Sequence, residues 1–234
     1  MKTAVAAKPP GKPKSRKPPR KELTSESRVR EILKRLEKSY PDAKCALIHR
    51  DPFELLVSTI LSAQCTDVRV NMVTPGLFKT YPTPQDFAAL REEVLQEAIR
   101  STGFYRNKAK SIIGAAKKIV EEHGGKVPDT MEALLTLPGV ARKTANVVLG
   151  TAFGKAAGVV VDTHVYRVSR RLDLTCEKTP EKVEQDLMRL IPRKKWIDFS
   201  HELIFHGRQV CVARRPKCAV CSLEDICYSE DKTV

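Results

Sequence analysis

The sequence has 234 residues, 41% of them hydrophobic, and a formal net charge of +14 at pH 7. It is long enough for one large folded domain or two small ones, and it contains neither an apolar run approaching the ~20 residues of a membrane span nor the apolar core of a signal peptide. We therefore predict a cytoplasmic protein (nucleoid-associated if bacterial) with no membrane partner. Its excess of Lys and Arg favours a nucleic-acid partner, unless a basic tail alone inflates the total.

The N-terminal segment, residues 1–22, is rich in Lys, Arg and Pro and nearly free of large apolar side chains. Such a segment buries too little apolar surface to offset the entropy lost on ordering, so we predict that it is a disordered basic tail. Two roles remain open for it, a basic arm on DNA and a solubilising leader with no specific partner.

The rest of the chain has the pattern of helices joined by short loops. An apolar stripe with helical spacing follows Thr24 and consists of Val29, Ile32, Leu33 and Leu36. Three helices are predicted to begin with a polar cap and a proline, at Asp51-Pro52 (with Glu54 as a capping-box acid), Thr83-Pro84 and Thr179-Pro180. A helix starting near Thr66 should end or kink at Pro75, and Asn107–His123 should form a helix that Gly124 stops. The strand-like run 159–161 is too short for a sheet, so the predicted fold class is all-α.

The segment LPGVARKTANVV, residues 137–148, predicts a turn between two helices, the second entered near Arg142. The unpaired N–H groups at such a turn favour an anion such as a DNA phosphate, although many helical turns with glycine are only connectors. Lys143 lies in the first helical turn beside Arg142, and both surroundings favour its neutral amine. A neutral lysine can form a Schiff base with a sugar carbon; the other interpretation is a surface lysine that binds phosphate.

Asp162 directly follows the apolar run 159–161 at a predicted junction between loop and helix. As an N-cap it would accept backbone hydrogen bonds. As a site residue it would stabilise positive charge developing on a sugar.

Four of the seven cysteines cluster near the C-terminus with the spacing C-x6-C-x2-C-x5-C: Cys211, Cys218, Cys221 and Cys227. In a cytosolic chain, such clustering indicates a metal site rather than disulfides. Only one pair has the short spacing that a zinc site usually repeats, and four close thiolates suit a [4Fe–4S] cluster, with zinc as the alternative. The loop also carries three cations that would contact a DNA backbone or compensate the thiolate charge: Arg214, Arg215 and Lys217.

LPGVARKTANVVL and VDTHVYRVSRRL resemble the helix–hairpin–helix–Gly/Pro–Asp motif of the endonuclease III family of DNA glycosylases, and the cysteine spacing resembles that family's cluster loop. The resemblance covers about residues 23–227. It implies that Lys143 attacks the sugar with help from Asp162, that one [4Fe–4S] cluster is bound per chain, and that Gly139, Ala141 and Arg142 contact DNA. The family hairpin usually reads LPGVG, so Ala141 is strained by about 1 kcal/mol if that position needs a positive φ.

The resemblance also implies two helical domains with a cleft between them. Residues 45–153 would form a six-helix domain with the hairpin, and residues 23–44 together with 154–234 would form the cluster domain.

Two loop tips are candidates for filling the gap that remains when a damaged base is flipped out of a duplex. Gln64 lies between two predicted helices and Phe104 follows a helix end, although a phenylalanine is more often a core residue. The resemblance favours both as gap fillers. Tyr105 and Lys108 are expected to line the same groove, and three further residues are possible pocket residues: Ser62, Asp67 and His164.

We therefore predict a monomeric, bifunctional DNA glycosylase and AP lyase that removes oxidised pyrimidines from double-stranded DNA and nicks the strand by β-elimination, acting also at abasic sites. Lys143 argues against a monofunctional adenine or mismatch glycosylase, because those relatives generally lack a lysine there. The presence of both Lys143 and Asp162 argues against a non-catalytic iron–sulfur DNA-binding protein.

Overall fold

The computed structural model describes residues 19–233, and every regular element within that range is a helix. The α-helices are α1 (Arg20–Leu23), α2 (Glu26–Ser39), α3 (Pro52–Leu61), α4 (Asp67–Thr80), α5 (Pro84–Ala89), α6 (Glu92–Ala98), α7 (Tyr105–His123), α8 (Met131–Leu135), α9 (Arg142–Phe153), α10 (Thr163–Arg171), α11 (Pro180–Leu190) and α12 (Trp196–Gln209). Short 3-10 turns lie at Arg100–Thr102, Arg193–Lys195, Cys218–Val220 and Glu224–Ile226. The predicted all-α fold class is confirmed. Across residues 19–233, no helix is long and apolar enough to cross a membrane.

Ordered structure begins earlier than the sequence predicts. Most of the predicted disordered tail, residues 1–18, lies outside the described residues, but α1 already starts at Arg20. Leu23 at the end of α1 is buried, and its carbonyl accepts a hydrogen bond from the guanidinium of Arg28. Burial of this one apolar side chain stabilises the short helix. The prediction of disorder is therefore wrong for residues 20–22.

Polar side chains cap two of the three predicted helix starts; α11 also begins at its proline, but the Thr179 side chain makes no cap hydrogen bond, so the cap predicted there is wrong. Asp51 Oδ1 accepts the backbone N–H groups of the second and third residues after it, each at 2.9 Å, and Thr83 forms a capping box with Asp86. The capping box predicted at α3 does not form, because the Glu54 carboxylate accepts the N–H of Arg50 at 2.7 Å instead. The caps thus start α3 and α5 where the sequence predicts.

Helix α4 continues through Pro75 to Thr80, so of the two predicted outcomes an end at the proline is wrong, and a kink there stays a prediction. Leu77 and Phe78, on the turn beyond the proline, are buried in the core. The burial of these two side chains offsets the backbone hydrogen bond that the proline cannot donate.

Buried apolar side chains form two clusters. The first comes from α3 to α9, and the second combines α2 with residues 159–223. Residues 45–153 contain seven α-helices rather than the predicted six; extended backbone at Leu90 and Arg91 separates two short ones, α5 and α6. Residues 159–161 are buried but do not form a strand. The N–H of Val160 instead donates to Ser200 Oγ at 3.0 Å.

Candidate active site and cysteine cavity

Gly139 makes the turn between α8 and α9. Its φ is +77°, and a Cβ at this position would lie 2.6 Å from Cβ of Ser111 on α7. Ala141 has φ −91° and ψ 170°, which is extended backbone that any residue adopts. The strain considered for Ala141 is therefore absent, because the positive-φ requirement of this hairpin falls on Gly139.

Lys143 is exposed on the first turn of α9, two residues after the N-cap position. No side chain in the described part of the chain caps α9, so its first N–H groups are free to bind an anion. Its neighbour Arg142 donates through Nε to Glu184 Oε2 at 2.8 Å, and Glu184 is buried. A buried carboxylate needs a partner, and Arg142 supplies it through Nε. The Arg142 side chain remains 43% exposed, so its contact with DNA stays a prediction.

Glu184 also joins α9 to the segment that precedes Asp162. Asn146, one turn after Arg142, donates through Nδ2 to Glu184 Oε1 at 2.8 Å. Gly158 packs so closely on Asn146 and Glu184 that a Cβ would not fit there. Gly158 leads directly through residues 159–161 to Asp162, so these contacts set the segment carrying Asp162 against the N-terminal half of α9.

Asp162 is the N-cap of α10. Its Oδ1 accepts the N–H groups of His164 and Val165, each at 2.8 Å. Within residues 19–233 no donor bonds to Oδ2, so that oxygen can face a ligand while Oδ1 holds the helix. His164 contacts Arg167 through Nδ1 at 3.2 Å, and burial lowers the pKa of its imidazole.

Both predicted loop tips are exposed and have left-handed backbone. Gln64 has φ 52° beyond the end of α3, and Phe104 has φ 48° immediately before α7. Phe104 is 62% exposed, so the interpretation of this residue as core is wrong. Left-handed backbone costs a non-glycine residue roughly 1–2 kcal/mol, and such strain concentrates at functional sites. Tyr105, the first residue of α7, is half-buried against the first cluster.

Lys108 does not line a groove, and the prediction of a DNA contact for it is wrong. Its side chain is buried, with 4% of the residue exposed. The ammonium donates to the carbonyl oxygens of Leu61 at 2.7 Å and Thr102 at 2.8 Å. Lys108 lies one turn into α7 on the face that packs against α3, and burial lowers the pKa of its amine.

The predicted pocket residues Ser62 and Asp67 both have partners within the protein. Ser62 Oγ donates to the carbonyl of Thr59 at 2.8 Å. Asp67, the first residue of α4, accepts from Arg208 Nη2 of α12 at 2.7 Å. Asp67 thus forms an ion pair between an element of the first cluster and one of the second.

The four clustered cysteines line one cavity together with Arg171, His206 and Leu223: Cys211, Cys218, Cys221 and Cys227. Across residues 19–233, no group of three or more His, Cys, Asp or Glu side chains is arranged to hold a single metal ion. Whether these residues fit a larger group, an iron–sulfur cluster, therefore depends on the lining of this cavity.

N–H groups point at the sulfur atoms of the cavity, which suits thiolate ligands. The N–H of Leu223 donates to Cys221 Sγ at 3.4 Å, and Arg171 Nη1 donates to Cys211 Sγ at 3.4 Å. Burial raises the pKa of Cys221 to about 11, so a thiolate there needs positive charge beside it, which iron ions supply. The residues of the cavity therefore fit an iron–sulfur cluster.

His206 supports the cavity from α12. Its Nε2 lies 3.6 Å from Cys221 Sγ and its Nδ1 lies 3.0 Å from the Tyr40 hydroxyl, and burial lowers the pKa of the imidazole to about 4. Neither His206 nor the buried Glu184 belongs to a motif, so the sequence analysis did not find them.

The three predicted cations of the loop lie on its outer surface: Arg214, Arg215 and Lys217. Arg171 of α10 holds the same loop from inside. Its guanidinium donates to the carbonyls of Val212 at 2.7 Å and Ala213 at 3.0 Å. The exposed cations are thus carried on a braced backbone, which suits binding to a polyanion.

Comparison with known proteins gives consistent matches. Residues 57–193 match the HhH-GPD superfamily of base excision DNA repair proteins, and residues 211–227 match the iron–sulfur binding domain of endonuclease III. Endonuclease III of Synechocystis sp. is 57% identical over 210 residues, covering 90% of this chain and 96% of the relative. A solved non-covalent endonuclease III–DNA complex and a trapped endonuclease III–DNA covalent intermediate are 46% and 45% identical. Each has a TM-score of 0.83 and covers 87% of this chain and 95% of the solved chain.

Proposed function

The chain belongs to the endonuclease III family of HhH-GPD base excision DNA repair proteins, and on this premise we propose that Lys143 is its nucleophile and that oxidised pyrimidines in duplex DNA are its substrates. It is a bifunctional DNA glycosylase and AP lyase. One observation carries the assignment of Lys143: it is an exposed lysine on an uncapped helix start, where a hairpin turn can hold the phosphate backbone.

The chemistry begins at C1′ of the damaged nucleotide. The lone pair of Lys143 Nζ bonds to C1′ while the bond from C1′ to the base breaks, and the base leaves with that electron pair and takes up a proton. Asp162 stabilises the positive charge on the sugar and accepts the proton that the attached amine loses. Opening of the sugar ring then gives a protonated imine.

The imine makes the protons at C2′ acidic. Loss of one C2′ proton expels the 3′ phosphate oxygen with its electron pair, and this β-elimination nicks the strand 3′ to the lesion. Water then adds to the imine, hydrolyses it and returns Lys143 as a free amine. An abasic site enters the same sequence without a base to expel.

The DNA contacts follow from the exposed groups. The N–H groups at Gly139 and Ala141 and at the start of α9 bind a phosphate, and Arg214, Arg215 and Lys217 bind another stretch of backbone. Gln64 and Phe104 fill the gap that the extruded nucleotide leaves. Tyr105 supports Phe104 from the first turn of α7, and His164 borders the pocket near Asp162.

The iron–sulfur binding domain holds its cluster in the cysteine cavity. We propose one [4Fe–4S] cluster per chain, with Cys211, Cys218, Cys221 and Cys227 as its four ligands. Such a cluster would cross-link a loop that has only short 3-10 turns of its own. We further propose that the protein acts as a monomer, with the two clusters of buried side chains as two domains and the reacting sugar in the cleft between them.

Borohydride trapping tests the central assignment, because reduction turns the imine into a stable amine. Wild-type protein should become covalently joined to duplex DNA with an abasic site, whereas Lys143→Gln should not, with DNA affinity kept within about threefold. Lys117→Gln, an exposed lysine on α7, is the matched control and should trap like wild type. Trapping that persists in Lys143→Gln would mean that another amine attacks. Wild-type protein that cleaves the base but never traps would be a monofunctional glycosylase.

A further inference from the structure

We infer that Lys108 is a positioning residue that couples the two exposed loop tips, Gln64 and Phe104, so that they open the base stack together. The inference rests on the gap-filling role proposed for these two residues. It goes beyond that role because Lys108 is buried and has no access to DNA.

One nitrogen atom bonds the backbone that leads into both tips. Lys108 Nζ donates to the carbonyl of Leu61, the last residue of α3 and three residues before Gln64, at 2.7 Å. It also donates to the carbonyl of Thr102, two residues before Phe104, at 2.8 Å. These two residues are the last ones of the helical segments from which the two tips extend.

The backbone of Lys108 adds a third bond to the same loop. Its N–H donates to the carbonyl of Phe104 at 3.1 Å. Lys108 therefore bonds both to Thr102 and to Phe104, the residues on either side of Gly103. The backbone here is sharply turned, with φ +70° at Gly103 and 48° at Phe104. Left-handed residues keep such conformations only where their surroundings hold them.

A lysine suits this position because both acceptors lie at the C-terminal ends of helical segments. Leu61 ends α3, and Thr102 ends the 3-10 turn that starts at Arg100. Carbonyls there have no partner further along the helix, and the helix dipole favours a cation beside them. In the described part of the chain no carboxylate pairs with Lys108, and its buried ammonium donates hydrogen bonds to these two carbonyls.

Cutting this link should affect one class of substrate more than the other. Extruding a paired base requires both tips to enter the stack, whereas an abasic site has no base to unpair. Coupling through Lys108 therefore predicts a loss in base excision with little loss in the lyase reaction.

Lys108→Met removes the N–H donors and keeps an unbranched chain of similar volume. Single-turnover excision of a paired oxidised pyrimidine should fall about tenfold or more, as expected for the loss of charge-assisted buried hydrogen bonds. Cleavage of an abasic duplex should change by less than about threefold. Fluorescence of 2-aminopurine beside the lesion should show slower unstacking. Lys108→Arg, which can donate to both carbonyls, should recover most of the rate, and Lys110→Met, exposed on the same helix, should behave like wild type.

An equal loss on both substrates, or no loss on either, would overturn the inference. If Lys108→Met does not fold, a second measurement decides: with Lys108 in place, the losses from Gln64→Ala and Phe104→Ala should be non-additive, and additive losses would overturn the coupling. Failure of the proposed function can be distinguished from failure of this inference. It would appear as imine trapping that persists in Lys143→Gln, irrespective of the residue at position 108.

Discussion

At the hairpin, Gly139 and Ala141 stand two residues apart but place different demands on the backbone. Gly139 has φ +77° and no room for a Cβ beside Ser111, whereas Ala141 is extended. Gly139→Ala should lower the free energy of unfolding by roughly 1–3 kcal/mol and weaken DNA binding, from left-handed strain and overpacking. Ala141→Gly should lower it by less than about 1 kcal/mol, through the entropy of the unfolded chain. Urea denaturation and fluorescence anisotropy measure both effects, and equal effects would contradict this account.

Asp162 combines a structural and a proposed chemical role, and the two can be separated. Asp162→Asn keeps an oxygen that can accept the N–H groups of His164 and Val165, so unfolding free energy should fall by less than about 1 kcal/mol. The rate of base excision should fall about a hundredfold or more, because the negative charge is removed. Circular dichroism and single-turnover kinetics provide the two measurements. An unstable variant with normal activity per folded molecule would show that Asp162 is only a helix cap.

At the scale of elements, the start of a helix is determined by local hydrogen bonds, whereas its continuation is determined by burial in the core. The start of α5 is set by Thr83 and Asp86, within four residues, and was predictable from the sequence. The continuation of α4 past Pro75 depends on the burial of Leu77 and Phe78 in a core built from other helices. Local hydrogen bonds are visible in the sequence, whereas burial is decided by partners elsewhere in the chain.

We expect the cysteine loop to be the element whose order depends most on a bound group. Between Cys211 and Cys227 it has only two three-residue turns, and Pro216 and Leu223 are its only buried residues. Cys221→Ser should remove the absorbance expected near roughly 400 nm for an iron–sulfur cluster and loosen the loop. Absorbance spectra, iron analysis and limited proteolysis test this, with Cys176→Ser, an exposed cysteine outside the loop, as the control. Colourless wild-type protein with one zinc per chain would contradict the cluster assignment.

At the scale of the whole molecule, the net charge of +14 should appear as salt dependence. Residues 1–18 contain six Lys and Arg and no Asp or Glu, and they end before α1. Deleting them should lower the slope of log affinity against log salt by about 1 for each DNA phosphate that their cations neutralise. Single-turnover rates at saturating protein should stay within about twofold, since the groups proposed to react, Lys143 and Asp162, lie on α9 and before α10. A collapse of those rates would place the tail within the active site.

The two clusters of buried side chains are bridged by polar pairs that join distant parts of the chain. Arg142 and Glu184 are 42 positions apart, and Asp67 and Arg208 are 141 positions apart. The pair at Glu184 helps to fix how the hairpin helix lies against the segment that carries Asp162, whereas the pair at Asp67 joins α4 to α12. No spacing rule predicts them, because they exist only once both clusters have formed.

The sequence by itself determined the family, the all-α fold class, the caps of α3 and α5 and the residues to which the chemistry is assigned. These features depend on neighbours within a few positions or on short motifs: a turn at Gly139, an amine on the first turn of a helix, four closely spaced thiols. Only the tertiary structure decided what Lys108 and Arg142 do. Both looked like free cations for DNA, but one is buried between two carbonyls and the other is bound to a buried carboxylate. The physical reason is that a side chain's role follows its partners and its burial, and those come from segments far away in the chain.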